Sequence, residues 1–186
     1  MNRNLIIVGI IVALLVVMFG GYISVKNELV QLRESTTAKF AQIDNQLQRR
    51  ADLIPNLVST VKGFAVQEKE VIQSVSDARA KLAGAQGVGQ KAQANQDLNG
   101  ALSRLLMVVE NYPNLKSDTT FRQLMDELAG TENRIAVARK DYNDAVQQYN
   151  TRISTFPGSM VAGGQFLPKE YFRAAEGAQT VPQVKF

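Results

Sequence analysis

Two carboxylates, Glu68 and Glu132, are the side chains in this 186-residue chain whose placement invites chemistry, because each interrupts an otherwise apolar helical stripe. Glu68 falls between Ala65 and Val71, and Glu132 between Leu128 and Ile135. Paired carboxylates on neighbouring helices are part of a di-metal bundle site, but that architecture also needs Glu-x-x-His ligands. The chain has no His, no Cys and no Trp. These absences exclude His- or Cys-based nucleophilic catalysis, thiol redox chemistry, disulfides and His/Cys zinc sites. Any catalyst would have to work with Asp, Glu, Lys, Tyr, Ser or Arg. The expectation is therefore no catalytic residue, no metal and no cofactor. An unpaired buried charge is costly, so the two carboxylates need cationic or polar neighbours. Arg139 and Asn143, one turn apart on the last long helical segment, are the natural ones. Glu68, Glu132, Arg139 and Asn143 are expected to form an internal polar network that fixes helix register.

The elements that must position these groups begin with an anchor. From Leu5 to Ile23 there are 19 consecutive residues without a charge. As a helix they rise about 28 Å, close to the thickness of a bilayer's hydrocarbon core. The run is longer than the apolar part of a cleaved signal, and Gly20-Gly21-Tyr22-Ile23-Ser24-Val25 is a poor cleavage match. The expected partner of Leu5 to Ile23 is thus the lipid bilayer, in a single pass. Arg3 precedes the run and Lys26, Arg33 and Lys39 follow it, a bias toward a cytoplasmic C-terminal domain.

Beyond the anchor the apolar residues fall three and four apart: Val25, Leu29, Leu32, Phe40, Ile43 and Leu47. Helix 1 is expected to continue from the anchor and end near Arg50-Ala51-Asp52, with Asp52 capping a second helix that has Pro55 in its first turn. That helix carries Leu57, Val61, Ile72, Val75 and Leu82 over about 30 residues. Gly84, Gly87 and Gly89 mark the next loop. A third helix carries Leu98, Leu102 and Leu105 and stops before Pro113. A fourth, capped by Ser117 or Asp118, runs through Phe121, Leu128, Ile135, Val146 and Tyr149 to Phe156-Pro157-Gly158. Gly63 and Gly100 interrupt helices, and close helix packing is their expected reason. No stretch alternates with period two.

The resulting fold is all-α: an N-terminal transmembrane helix continuing into an antiparallel four-helix up-down bundle. The anchor occupies 1–23, the bundle 24–156, and a C-terminal tail 157–186. The tail keeps large apolar residues, Phe166, Leu167, Tyr171, Phe172 and Phe186, and the first four are expected to pack on the bundle near the membrane-proximal end rather than lie on lipid. Alternating helix directions bring the turns near 50–55 and 111–118 together at a membrane-distal tip. That tip gathers Arg49, Arg50, Asp52, Asn56, Glu110, Tyr112 and Lys116, a candidate partner-binding surface. Net charge is +4, with 21 basic and 17 acidic residues mixed along the chain. Nucleic acid is excluded as a partner, since that function needs a concentrated basic face.

Longer strings resemble the LemA family of bacterial membrane proteins: Gln42-Ile43-Asp44, Arg49-Arg50-Ala51-Asp52-Leu53-Ile54-Pro55-Asn56-Leu57-Val58, Glu110-Asn111-Tyr112-Pro113-Asn114-Leu115-Lys116, Gly130-Thr131-Glu132-Asn133-Arg134-Ile135, Tyr142-Asn143 and Tyr149-Asn150. The resemblance implies a single N-terminal transmembrane segment, an external N-terminus and a cytoplasmic four-helix bundle in the bacterial cell membrane. It supplies no enzymatic activity. It also implies company: members occur alongside membrane proteases, and some relatives are tied to building internal membrane compartments. Two departures stand out. Phe40 replaces a common Trp, and Gln67 replaces a common His before Glu68, which weakens any metal or proton-exchange role there.

The function expected from residues and resemblance together is a non-enzymatic, membrane-anchored scaffold or adaptor. Its partners would be membrane-associated proteins, a membrane protease among the candidates, or a second copy of itself as a homo-oligomer. The alternative is a sensor that binds a small ligand between its helices, which requires a cavity among the inward residues.

Overall fold

Apolar residues three and four apart over long stretches can bury one stripe only as helices, and a computed structural model, which describes residues 3–65 and 67–173, is helical in all its regular elements. They are α1 (Arg3–Phe64), α2 (Lys69–Gly84), α3 (Gly87–Val109), α4 (Pro113–Ser117), α5 (Thr119–Ser154) and α6 (Gly158–Ala162).

The end of helix 1 is corrected. α1 does not stop near Arg50-Ala51-Asp52; it runs 62 residues with Pro55 inside it. Proline lacks the N–H that would bond the carbonyl four residues back, which leaves Ala51 O without its helical partner. Arg79 Nε, from α2, donates to that oxygen at 3.0 Å. A side chain 28 positions away thus supplies the missing bond. Asp52 consequently caps nothing: it is exposed and accepts from Gln48 Nε2 at 2.8 Å, one turn away. The break falls between Phe64 and Lys69, so the expected 30-residue second helix is divided, its first part completing α1 and the rest forming α2.

The other boundaries follow the local signals. α2 and α3 are separated by two residues, with Gly87 at φ +71°, a backbone conformation open to glycine. α3 ends before Pro113, which opens the short α4. Asp118 Oδ1 accepts from the Phe121 N–H at 2.8 Å and so caps α5. Close packing is not the reason for Gly63 or Gly100, where an added Cβ would meet nothing within 4 Å.

The described chain divides into two compact units. One contains Lys39–Asn143 and the residues from Glu170. In it, Asp44 and Arg50 of α1 meet Lys91 and Asn95 of α3 in the same order, so these helices are parallel. Lys39 and Arg49 meet Asp141 and Glu127 of α5 in reverse order. With α2 and α3 joined by a two-residue turn, the result is an up-down-up-down bundle around Ile43, Ile54, Leu57, Val61, Val75, Leu98, Leu105 and Ile135, all at most 2% exposed.

The other unit contains the residues up to Ala38 and Asp144–Lys169. The Leu5–Ile23 run leaves its large side chains exposed, whereas the next turns of α1 are covered. Leu29 forms a buried cluster with Tyr149, Ile153, Ala162 and Phe166, against which Val25, Leu32 and Val161 pack. Arg152 grips Glu28 with Nε at 2.9 Å and Nη2 at 2.6 Å, the two-pronged geometry that guanidinium favours. At Gly158 the turn into α6 passes so close to α5 that an added Cβ would lie 2.0 Å from Arg152 O.

Candidate functional site

Arg50, expected at a solvated tip, is instead inside the bundle. It is only 4% exposed. Nη1 donates to Asn95 Oδ1 at 2.9 Å and to Glu132 Oε2, and Nη2 donates to Asn99 Oδ1. Nε has no partner among the described residues. Three helices build this centre: α1 brings the cation, α5 the carboxylate, and α3 two amides at positions i and i+4, which share a face. Burial lowers the pKa of the guanidinium, while the charge and hydrogen bond of Glu132 oppose that shift. Glu132 keeps 42% of its side chain exposed, so the pair reaches from the core to the bundle surface. Asn95 and Asn99 were missed from the sequence. Their signal was two poor helix formers one turn apart on the inward stripe with Leu98 and Leu102.

The expected four-residue network is not one network. Glu132 pairs with Arg50. Glu68 accepts from Tyr112 OH at 3.0 Å, a hydrogen bond that, before burial, holds the tyrosine's pKa above its ordinary value. Asn143 holds the tail, and Arg139 is half-exposed and bonded to none of the other three. The physical reason is axial: with α1 continuing to Phe64, Glu68 sits at the end of the bundle and Glu132 lies at the level of Arg50.

At that end, the turn after α1 meets the turn after α3 through the Tyr112–Glu68 bond. Lys116 Nζ pairs with Glu110 at 2.6 Å. Phe64, Leu106 and Met107, at the C-terminal ends of α1 and α3, leave large apolar surface exposed. Of the expected tip residues, the structure brings Glu110, Tyr112 and Lys116 to this end. Arg49, bonded to Glu127 at 3.0 Å, Asp52 and Asn56 lie along the side of α1 instead, for the same reason that Arg50 does: Pro55 does not end the helix.

Tyr-Asn occurs twice on α5, seven residues apart, and both copies hold the backbone of the chain after α6. In the bundle unit, Tyr142 OH donates to Glu170 O at 2.8 Å, and the Asn143 amide both donates to Phe172 O at 3.1 Å and accepts from its N–H at 2.9 Å. In the other unit, Tyr149 OH donates to Leu167 O at 3.1 Å, and Asn150 exchanges the same pair of bonds with Lys169 at 2.9 and 2.8 Å. Of the tail's apolar residues, Phe166 and Phe172 are buried and Leu167 is 69% exposed. Phe186 lies outside the described residues.

Among the described residues no group of three or more His, Cys, Asp or Glu is placed to hold a metal ion. Grooves are present: one of about 410 Å³ between α1 and α5, lined by Gln42, Asn45, Asn133, Val137 and Asp141, and one of about 760 Å³ between α2 and α3, lined by Asp77, Lys81, Asp97 and Arg104. Both are open to solvent and lie on the outside of the bundle.

Comparison with known proteins places residues 39–186 on the pattern of the LemA family. The chain is similar to Magnetosome protein MamQ 2 of Paramagnetospirillum magneticum, with 32% identity over 182 residues that cover 83% of this chain and 66% of the relative. It is similar to Magnetosome protein MamQ of Magnetospirillum gryphiswaldense, with 28% identity covering 85% of this chain and 69% of the relative. Protein LemA of Metamycoplasma hominis is 25% identical, covering 76% of this chain and 65% of that protein. The chain spans about two thirds of the length of these relatives.

Proposed function

The chain belongs to the LemA family, and from that premise we propose that it is a non-enzymatic scaffold or adaptor, anchored in the membrane by Leu5 to Ile23. The observation that carries this reading is the continuity of α1. One helix, Arg3–Phe64, presents exposed apolar side chains on all sides over a bilayer's thickness and is not interrupted after them. Confining a binding surface to a membrane raises its effective concentration toward partners held there.

The surface assigned to partners is the end of the bundle that carries the exposed Phe64 and Met107, the half-buried Tyr112 and the Glu110–Lys116 pair, apolar groups rimmed by charge. The partner is a membrane-associated protein. The bundle faces the cytoplasm in this reading, since Lys26, Arg33 and Lys39 follow the anchor and only Arg3 precedes it. Protease accessibility in spheroplasts checks that side.

The test is crosslinking in native membranes with identification of the captured proteins, comparing the parent chain with Met107→Asp and Tyr112→Ala. Both substitutions should remove the same captured protein. A captured set unchanged by either would sink the assignment of this surface.

A further inference from the structure

We propose that the turn joining α5 to α6 is a second membrane contact, with Phe156 and Met160 seated in the lipid interface beside the anchor. All the residues involved belong to the unit that contains the apolar run. α5 runs antiparallel to α1 there, and Arg152 is fixed opposite Glu28 by two hydrogen bonds. Each step along α5 past Arg152 therefore moves one step back along α1 toward the apolar run. Ser154, the last residue of α5, lies opposite about residue 26, and Phe156 opposite about residue 24. Ile23 ends the uncharged run. Packing of Val161 and Ala162 in the cluster that holds Val25 and Leu29 independently keeps α6 at this level.

The turn shows a division of faces. Gly158 and Ala162 are buried toward α1 and α5, while Phe156 and Met160 are 77% and 76% exposed. Tyr22, at the same level of α1, is also exposed at 45%. Two large exposed apolar groups at the boundary, with the exposed Tyr22 at the same level of α1, have the composition of a membrane interface. Leu167 is excluded from this contact, because its carbonyl is held by Tyr149, about two turns further from the boundary. The occupant is the lipid interface. A contact of this kind pins α5 as well as α1 to the bilayer and so limits tilting about a single helix.

The proposal rests on the anchor reading, and the test separates the two. Because the chain has no Trp, the variants Phe19→Trp, Phe156→Trp, Met160→Trp and Ser35→Trp each carry one reporter. Ser35 is an exposed residue about 18 Å beyond Ile23 along α1. The full chain is reconstituted in phosphatidylcholine vesicles brominated at shallow or deep acyl positions, and Trp quenching is read. Phe19→Trp should be quenched by deep bromines and Ser35→Trp by neither. Phe156→Trp and Met160→Trp should be quenched by shallow bromines at least about half as strongly as Phe19→Trp is by deep ones, as befits groups at the headgroup boundary. If Phe19→Trp is quenched while both turn variants behave like Ser35→Trp, the turn is in water and this inference fails with the anchor intact. If Phe19→Trp is not quenched at all, the anchor reading fails and the second contact falls with it.

Discussion

Between Leu5 and Phe19 the large apolar side chains of α1 are 43–72% exposed, whereas Arg50 on the same helix is 4% exposed. One stretch turns its apolar groups outward and the other sinks a cation inward, and each inversion has a local physical counterpart. Exposed Leu, Ile and Val on every face fit a solvent of acyl chains, where a helix has no apolar stripe to hide. A buried guanidinium needs a solvent made by the protein, which here is Asn95, Asn99 and Glu132. The ordinary rule that apolar goes in and charge goes out fails twice along one helix, each time for a local reason.

The contrast sharpens into measurements, of which Arg50→Ala has the largest expected effect. It empties the space of a buried side chain and leaves the buried Asn95 amide and the half-buried Asn99 amide without their donor, and should lower stability by about 3–5 kcal/mol, read by urea unfolding of the full chain in detergent micelles. Glu132→Gln should cost less, about 1–2 kcal/mol, because water reaches that side chain and an amide oxygen still accepts from Arg50. Equal losses would show that the pair is not seated as described. Next is Leu14→Lys, a charge at the middle of the apolar run. It should oppose membrane insertion by about 2.5–3.5 kcal/mol, seen as a shift from pellet to supernatant on membrane fractionation, with the bundle's unfolding midpoint unchanged.

Two glycines give smaller effects of opposite sign. Gly158→Ala places a methyl on the Arg152 carbonyl and should destabilise the α5–α6 turn by about 1–3 kcal/mol, detectable as faster proteolysis after Phe156. Gly100→Ala fills open space inside α3 and should stabilise by about 0.5–1 kcal/mol, measured as a raised urea midpoint.

What could be read in the sequence was whatever depends on near neighbours. The apolar run, the Gly84–Gly87 turn, the Asp118 cap and the end of α5 before Pro157 are local signals, and the structure has them. Pro55 misled because its penalty is relieved by Arg79, a residue 24 positions further along with no local sign of that role. From that single displaced helix end followed the misplacement of Arg49, Arg50, Asp52 and Asn56, and the pairing of Glu68 with Glu132. Of the two carboxylates read as polar interruptions of apolar stripes, Glu132 does lie on a helix, α5, but Glu68 falls in the break between α1 and α2, and their partners, Arg50 and Tyr112, are set by axial level in the bundle. The Tyr-Asn dipeptides were visible as strings, and only the path of the tail shows that they grip its backbone.

The central claim, that one unbroken helix passes from lipid into a water-facing bundle, is tested most directly by a cysteine scan of α1. The chain has no native Cys, so single cysteines from position 5 to position 36 can be reacted with a membrane-impermeant maleimide in native membranes. The predicted result is a block of protection through Ile23, then labelling that rises and falls every three to four residues, with Leu29 and Thr36 protected. Labelling with helical period already inside Leu5–Ile23, or uniform labelling throughout, would contradict it.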